Sequence, residues 1–178
     1  MSKNGVKKIV EAIDFMLSIP ESITEGFARN HFKQAILSMP SDRILTTKNI
    51  ADLFHQLKRS GYIEITKDSN GNESLRFTNK SRLAVVDQYS KRAQTDNIYK
   101  FVSFDIPERL RVNRNHFRRI IKRLGFKQIQ KSLWVSNKEI GDLVEIAARE
   151  YKIYDYIVYL TVSKTNIDQV INKILTVR

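Results

Sequence analysis

The stretch KFVSFDIPERLRVNRNHFRRIIKRLGFKQIQKSLWVS, residues 100–136, decides the fold. Its opening continues an aromatic and β-branched run, Ile98 to Phe104, that suits a strand. Asp105-Ile106-Pro107 stops that strand, because proline has no N–H to give to a ladder, and so Asp105 falls at a strand's C-terminal end. Phe117, Ile120, Ile121 and Leu124 recur at helical spacing, and Gly125 supplies a left-handed stop. Phe126–Gln130 and Ser132–Ser136 then read as two short strands around Lys131, with Trp134 packed inside.

Working outward toward the C-terminus, Ile140, Leu143, Val144 and Ala147 mark a helix over Lys138–Tyr151, and a long strand follows at Tyr156–Val162. A short helix near Ile167–Leu175 closes the chain. Strand, helix, strand, strand, helix, strand is the order of a ferredoxin-like (βαββαβ) domain. The first of these helices is unusual in charge: between Arg109 and Lys131 there are nine basic residues and no acid. A solvated helix usually interleaves both signs. Arg111, Arg118, Arg119 and Lys122, with Arg114 at the margin, are therefore candidates for contact with nucleic-acid phosphates.

Toward the N-terminus, the polar residues Ala93–Asn97 separate this domain from a helix over Asn79–Arg92 carrying Leu83, Val86 and Tyr89. Before that helix, Thr46 or Thr47 can cap a helix whose core stripe is Ile50, Leu53, Phe54 and Leu57. Its outer face offers Lys48, Asp52, His55, Gln56 and Arg59, a mixture of donors and acceptors. Gly61 ends it, and Tyr62–Thr66 and Ser74–Thr78 read as a hairpin turning at Asn70-Gly71. Helix, glycine, hairpin is the order of a winged helix. The helix from Thr47 to Arg59 would lie in a major groove, presenting Thr47, Lys48, Asn49, His55, Gln56 and Arg59, with Lys67 and Arg76 on the wing near phosphates. The alternative is a winged helix used for protein contacts. Two further helices precede it, one over about 6–18 with Ile9, Ile13, Met16 and Leu17 ending before Pro20, the other over Phe27–Ser38 ending before Pro40. The expected class is thus α+β, with a winged helix-turn-helix domain over 1–92 and a ferredoxin-like domain over 97–178.

Composition agrees with a polyanionic partner. The 178 residues carry a formal charge of +12, and releasing counterions from phosphates is the simplest use for such an excess. The basic start, Lys3, Lys7 and Lys8, leads into a stretch broken by Glu11 and Asp14, unlike the apolar core of a signal peptide, so a cytoplasmic protein without a membrane segment is expected. There is no cysteine, and His31, His55 and His116 match no metal-ligand spacing.

The Lys100–Ser136 stretch resembles the central domain of PaaX-like transcriptional repressors. It also resembles the CRISPR-associated "Cas two" adaptation nuclease, which shares that domain's fold. The resemblance spans residues 98–165 and rests on Asp105, the arginine-rich helix, the turn Leu124-Gly125-Phe126, and Gln130 with Ser132-Leu133-Trp134. The segments "SGYIEI" and "LRFTNKSR", residues 60–65 and 75–82, resemble the usual end of a winged helix and tilt the reading toward PaaX-like regulators. PaaX repressors usually continue into a third domain, so the coenzyme A thioester response of some members is not carried over.

Two functions follow from the resemblance. One is a homodimeric regulator whose paired ferredoxin-like domains space two winged helices on a palindromic double-stranded DNA site. The other is a nuclease dependent on Mg²⁺ or Mn²⁺, or a partner of a CRISPR integrase in spacer acquisition. In the family's dimer the two copies of the strand-end aspartate face each other, which makes Asp105 the candidate catalytic and metal-binding residue, shared across a dimer, with Glu108 nearby. Asp105 is equally suited to capping the following helix or pairing with Arg109 or Arg114.

Overall fold

The computed structural model describes residues 3–18, 32–33, 36–37, 47–67, 69–71 and 73–176. The chain divides into two compact units, Met1–Val85 and Val86–Arg178. Both mix helix and sheet, so the class is α+β.

In the first unit, helix α1 (Lys3–Ser18) buries Ile9, Ala12 and Ile13. The helix read over Phe27–Ser38 lies outside the described residues except at 32–33 and 36–37, which are helical and bury Phe32 and Ile36. Helix α2 (Thr47–Arg59) buries Ile50, Phe54 and Leu57, spaced i, i+4, i+7, with Leu53 half-buried beside them. The ring of Phe54 meets that of Phe32 edge-on at 5.1 Å.

Gly61, with φ of +69°, ends α2 as the spacing predicts. The Tyr62 N–H donates to the Leu57 carbonyl (2.9 Å) and the Gly61 N–H to that of Lys58 (3.0 Å), a Schellman closure that uses carbonyls a helix end leaves over. Strands β1 (Ile63–Lys67) and β2 (Glu73–Phe77) form the expected antiparallel hairpin, Ile63 facing Phe77 and Ile65 facing Leu75. Its exit is tied back to its entrance: the Thr78 hydroxyl donates to the Gly61 carbonyl (2.8 Å), the Ser81 hydroxyl to that of Tyr62, and the Lys80 ammonium to that of Ser60 (2.8 Å). The helix read over Asn79–Arg92 is two helices, α3 (Asn79–Ala84) and α4 (Val86–Arg92), parted at Val85, whose φ and ψ of −101° and 15° leave the helical region.

The second unit starts with α4. Asp87 there accepts from Arg123 at both carboxylate oxygens (3.0 and 2.9 Å), and the Ser90 hydroxyl donates to the Leu124 carbonyl (2.9 Å). Strand β3 spans Thr95–Phe104, so the polar residues 95–97, expected to form a linker, are strand. Their polarity has a local cause. Lys100 is almost fully buried, and its ammonium reaches Asp96 (2.6 Å) and Glu139 (2.5 Å). Asp96 is therefore a counter-ion inside a strand rather than a sign of a loop.

A 3₁₀ turn (Glu108–Leu110) leads into helix α5 (Arg111–Arg123), which buries Phe117, Ile120 and Ile121 and ends at Gly125, φ +95°, with the same two closing bonds as α2. Strands β4 (Lys127–Gln130) and β5 (Leu133–Lys138) follow. Helix α6 (Gly141–Glu150) begins later than expected because β5 runs on to Lys138, where Thr95 pairs with it. A second 3₁₀ turn (Tyr154–Tyr156), strand β6 (Ile157–Val162) and helix α7 (Asp168–Thr176) complete the unit. The sheet order is β4-β5-β3-β6, antiparallel throughout. That order, with its βαββαβ sequence, is the ferredoxin-like arrangement. Phe104, Val102 and Trp134 face α5, where the Phe104 and Phe117 rings meet edge-on at 5.7 Å. The opposite face, Tyr99, Phe101 and Val135, packs on Ile171 of α7.

Burial disfavours the Lys100 ammonium, but its bonds to Asp96 and Glu139 outweigh this and hold its pKa above the ordinary lysine value. The bond from Lys100 in turn holds Asp96 below the ordinary carboxylate range. A depressed Asp96 contributes stability above its unfolded pKa, about 3.9, and loses it as pH falls through the lower folded value. Lys100→Met removes that linkage. Urea midpoints at about pH 7 and pH 3 should differ less in the variant than in the parent; an unchanged difference would show that the pair carries no acid dependence.

Candidate nucleic-acid interface

The candidate residues of the first unit lie on α2 and the hairpin. Ile50, Phe54 and Leu57 turn inward, so Asn49, Asp52, His55 and Arg59 stand exposed on the outer side, with Gln56 half-buried. Thr47 and Lys48 begin the helix, and their side chains lie outside the described residues. Lys67 pairs with Glu73 across the hairpin at 3.4 Å. Arg76 is exposed opposite Glu64. The basic residues on this hairpin are thus matched to acids, which the sequence did not suggest.

On α5 the basic residues divide into two groups. Arg114 is held: its guanidinium donates to the Ile106 carbonyl (2.9 Å) and to Glu108 (2.8 Å). That bond from Arg114 is the main reason the Glu108 carboxyl titrates below its ordinary range. Arg123 is fixed by Asp87. Arg111 has only a loose approach to Glu108, 3.7 Å, between exposed groups. Arg119 is exposed and bonds the Asn115 carbonyl at 3.3 Å. Arg118 lies over the Phe104 ring (5.4 Å) and Lys122 over the Trp134 ring (5.7 Å). Arg111, Arg119 and Lys122 thus present exposed charge, while Arg114 and Arg123 act as fasteners.

Asp105 is placed at the end of β3, where the sequence set it, and is exposed. Its backbone N–H donates to the Tyr156 carbonyl (3.1 Å). The capping and pairing roles considered for its side chain are not what the structure has. Pro107 and Leu110 occupy the cap positions of the turn and of α5, without side-chain capping, Arg114 is taken by Glu108, and Arg109 donates to the Tyr156 hydroxyl (3.0 Å). Four residues, Ile106 to Arg109, separate Asp105 from Leu110 at the cap position of α5.

A hard cation such as Mg²⁺ takes about six oxygen ligands. Among the described residues no group of three or more His, Asp and Glu side chains is arranged to hold a metal, and Glu108 is bound to Arg114. The residues of one chain do not fit such an ion, and no step is derived through it. No helix among the described residues is long and apolar enough to cross a membrane.

No curated protein and no solved structure matches the chain. Residues 92–173 match the family model described as the PaaX protein central Cas2-like domain, a segment that takes in the whole four-stranded sheet, both helices α5 and α6, and most of α7. Over that segment, a little under half of the chain, the protein is similar to the Cas2-like central domain of PaaX proteins.

Proposed function

We propose that this protein is a DNA-binding transcriptional regulator of the PaaX kind, acting as a homodimer, with a winged helix in its first unit. The observation that carries the reading is the outer side of α2, where Asn49, His55 and Arg59 stand exposed on a helix that runs through a left-handed glycine into a hairpin. Such a helix has a buried stripe that fixes its rotation and a mixed donor and acceptor face that can read base edges. The charge of +12 supplies the phosphate affinity that base contacts require.

For the dimer, support comes from β6. It is an edge strand, and its Val158 and Leu160 expose about half their surface beside the packed face of Phe101. A second copy covering that edge would bury apolar side chains and place two reading helices on a symmetric site.

The test is selection of duplexes from a random pool. A preferred site should emerge, and Arg59→Ala and His55→Ala should each lower the preference for it by roughly tenfold while changing affinity for unrelated duplex much less. Equal affinity for every sequence would sink the regulator reading.

A second reading, a metal-dependent nuclease or a partner of a CRISPR integrase, is favoured by one observation: the exposed Asp105 carboxylate has no hydrogen bond or ion pair among the described residues. A metal site would need the same residue from a second copy. With Mg²⁺ or Mn²⁺ and either DNA or RNA, cutting should appear in the parent and vanish in Asp105→Ala; intact substrate with the parent protein overturns this reading.

A further inference from the structure

Hydrogen-bond donors outnumber acceptors where α5 crosses the β4–β5 turn. Trp134 is 2% exposed, yet its indole N–H has no acceptor, and the Nε–H of Arg118 is buried without one as well. Arg118 does use one terminal nitrogen, on the Lys131 carbonyl at 3.2 Å. That carbonyl is already shared: Gln128, the cross-strand neighbour of Trp134, directs its amide N–H₂ to the carbonyls of Lys131 (3.3 Å) and Gln130 (3.1 Å). Lys122, one turn beyond Arg118, lies over the Trp134 ring.

Charge is unbalanced at the same place. Arg114 and Arg123 are paired with Glu108 and Asp87, and Arg111 approaches Glu108 loosely at 3.7 Å. Arg118 and Lys122, with Lys131 in the turn, have no ion pair among the described residues. A buried donor left unmade is costly, and a native cluster of them points to a missing acceptor. Water can satisfy an N–H and hydrate the exposed Lys122, but it brings no negative charge to the pair. An oxyanion supplies acceptor and charge together, since phosphate oxygens accept several charge-assisted bonds at once.

We propose that Arg118 and Lys122, floored by Trp134 and flanked by Gln128, form a phosphate subsite on the second unit. The proposal rests on the DNA-binding reading in one respect only, that the phosphate is taken to be one of a duplex backbone; free phosphate is the other source of the same chemistry. Lys122 is the movable part, an exposed side chain whose apolar stem covers the indole and whose ammonium follows the anion.

Trp134 is the one tryptophan of the chain, so its emission reports on this place alone. The full chain is titrated with sodium phosphate against sodium chloride of matched ionic strength, and separately with a short duplex, while anisotropy of a labelled duplex measures binding independently. A saturable emission change is expected with phosphate and with duplex, weakened roughly tenfold in Arg118→Gln and in Lys122→Gln. Trp134→Phe, which keeps a ring and loses the N–H, should weaken duplex binding without unfolding the domain, as followed by circular dichroism. Phosphate acting no differently from chloride overturns the subsite, as does duplex binding that leaves both the emission and the two glutamine variants unaffected; in the latter case DNA binding itself stands. Phosphate moving the emission while no duplex binds leaves the subsite in place as a free-phosphate site and removes the DNA-binding reading.

Discussion

Replacing Phe117 with alanine should lower the unfolding free energy of the second unit by about 3–5 kcal/mol, the usual cost of emptying a phenylalanine site in a core. Phe117 is fully buried, and its ring meets Phe104 edge-on at 5.7 Å, so transfer, cavity and aromatic-pair losses coincide. A domain of this size has only about 5–15 kcal/mol in total, which makes the variant marginal or unfolded. Phe117→Leu, which refills most of the space, should cost clearly less. Urea titrations followed by Trp134 emission resolve the second unit without contribution from the first. A loss under about 1 kcal/mol for the alanine variant would mean that α5 is not docked on β3 as described.

The second large effect concerns charge. Arg111, Arg119 and Lys122 are exposed, and neutralising all three to glutamine should lower duplex affinity roughly 100-fold at 0.1 M salt and reduce the slope of log affinity against log salt by about 2–3. The basis is counterion release, about 0.9 of an ion for each phosphate neutralised. Arg114→Gln and Arg123→Gln form the contrasting pair. Their guanidinium groups are engaged by Glu108 and Asp87, so these variants should alter stability and leave the salt slope nearly unchanged. Equal slopes for the triple variant and the parent would exclude α5 from the interface.

Much of the second unit can be read in the sequence because its signals are local. The apolar spacing of Phe117, Ile120, Ile121 and Leu124 and the stop at Gly125 define α5, and Asp105-Ile106-Pro107 defines the end of β3. What local pattern misses is pairing at a distance. Asp96 looks like a linker residue until Lys100 is found buried beside it and Glu139 is found to share the ammonium. No spacing shows that Arg123, one of the basic residues of α5, is held by Asp87 on a different helix. The same limit applies at Asp105: a strand-end acid before a helix reads as a cap, but the length of the intervening turn decides, and Glu108 takes the arginine instead. On the hairpin, the alternation of Ile63, Ile65, Leu75 and Phe77 reveals the strands, whereas the Lys67–Glu73 pair depends on register. The donor-rich place around Trp134 gives no sequence signal, since nothing in the spacing of Arg118, Lys122, Gln128 and Trp134 shows that they meet.

The position of β3 also governs how the domain is assembled as it is made. This strand leaves the ribosome before the other three of its sheet, yet both its edges await later chain: Phe101 waits for Val135 on one side and Leu160 on the other. Its aromatic residues therefore stay unpaired during synthesis until nearly the whole domain has emerged, whereas the hairpin of the first unit closes on neighbours a few residues away. Slowing translation after about residue 140 should accordingly lengthen the life of a chaperone-dependent intermediate in which the first unit is already folded.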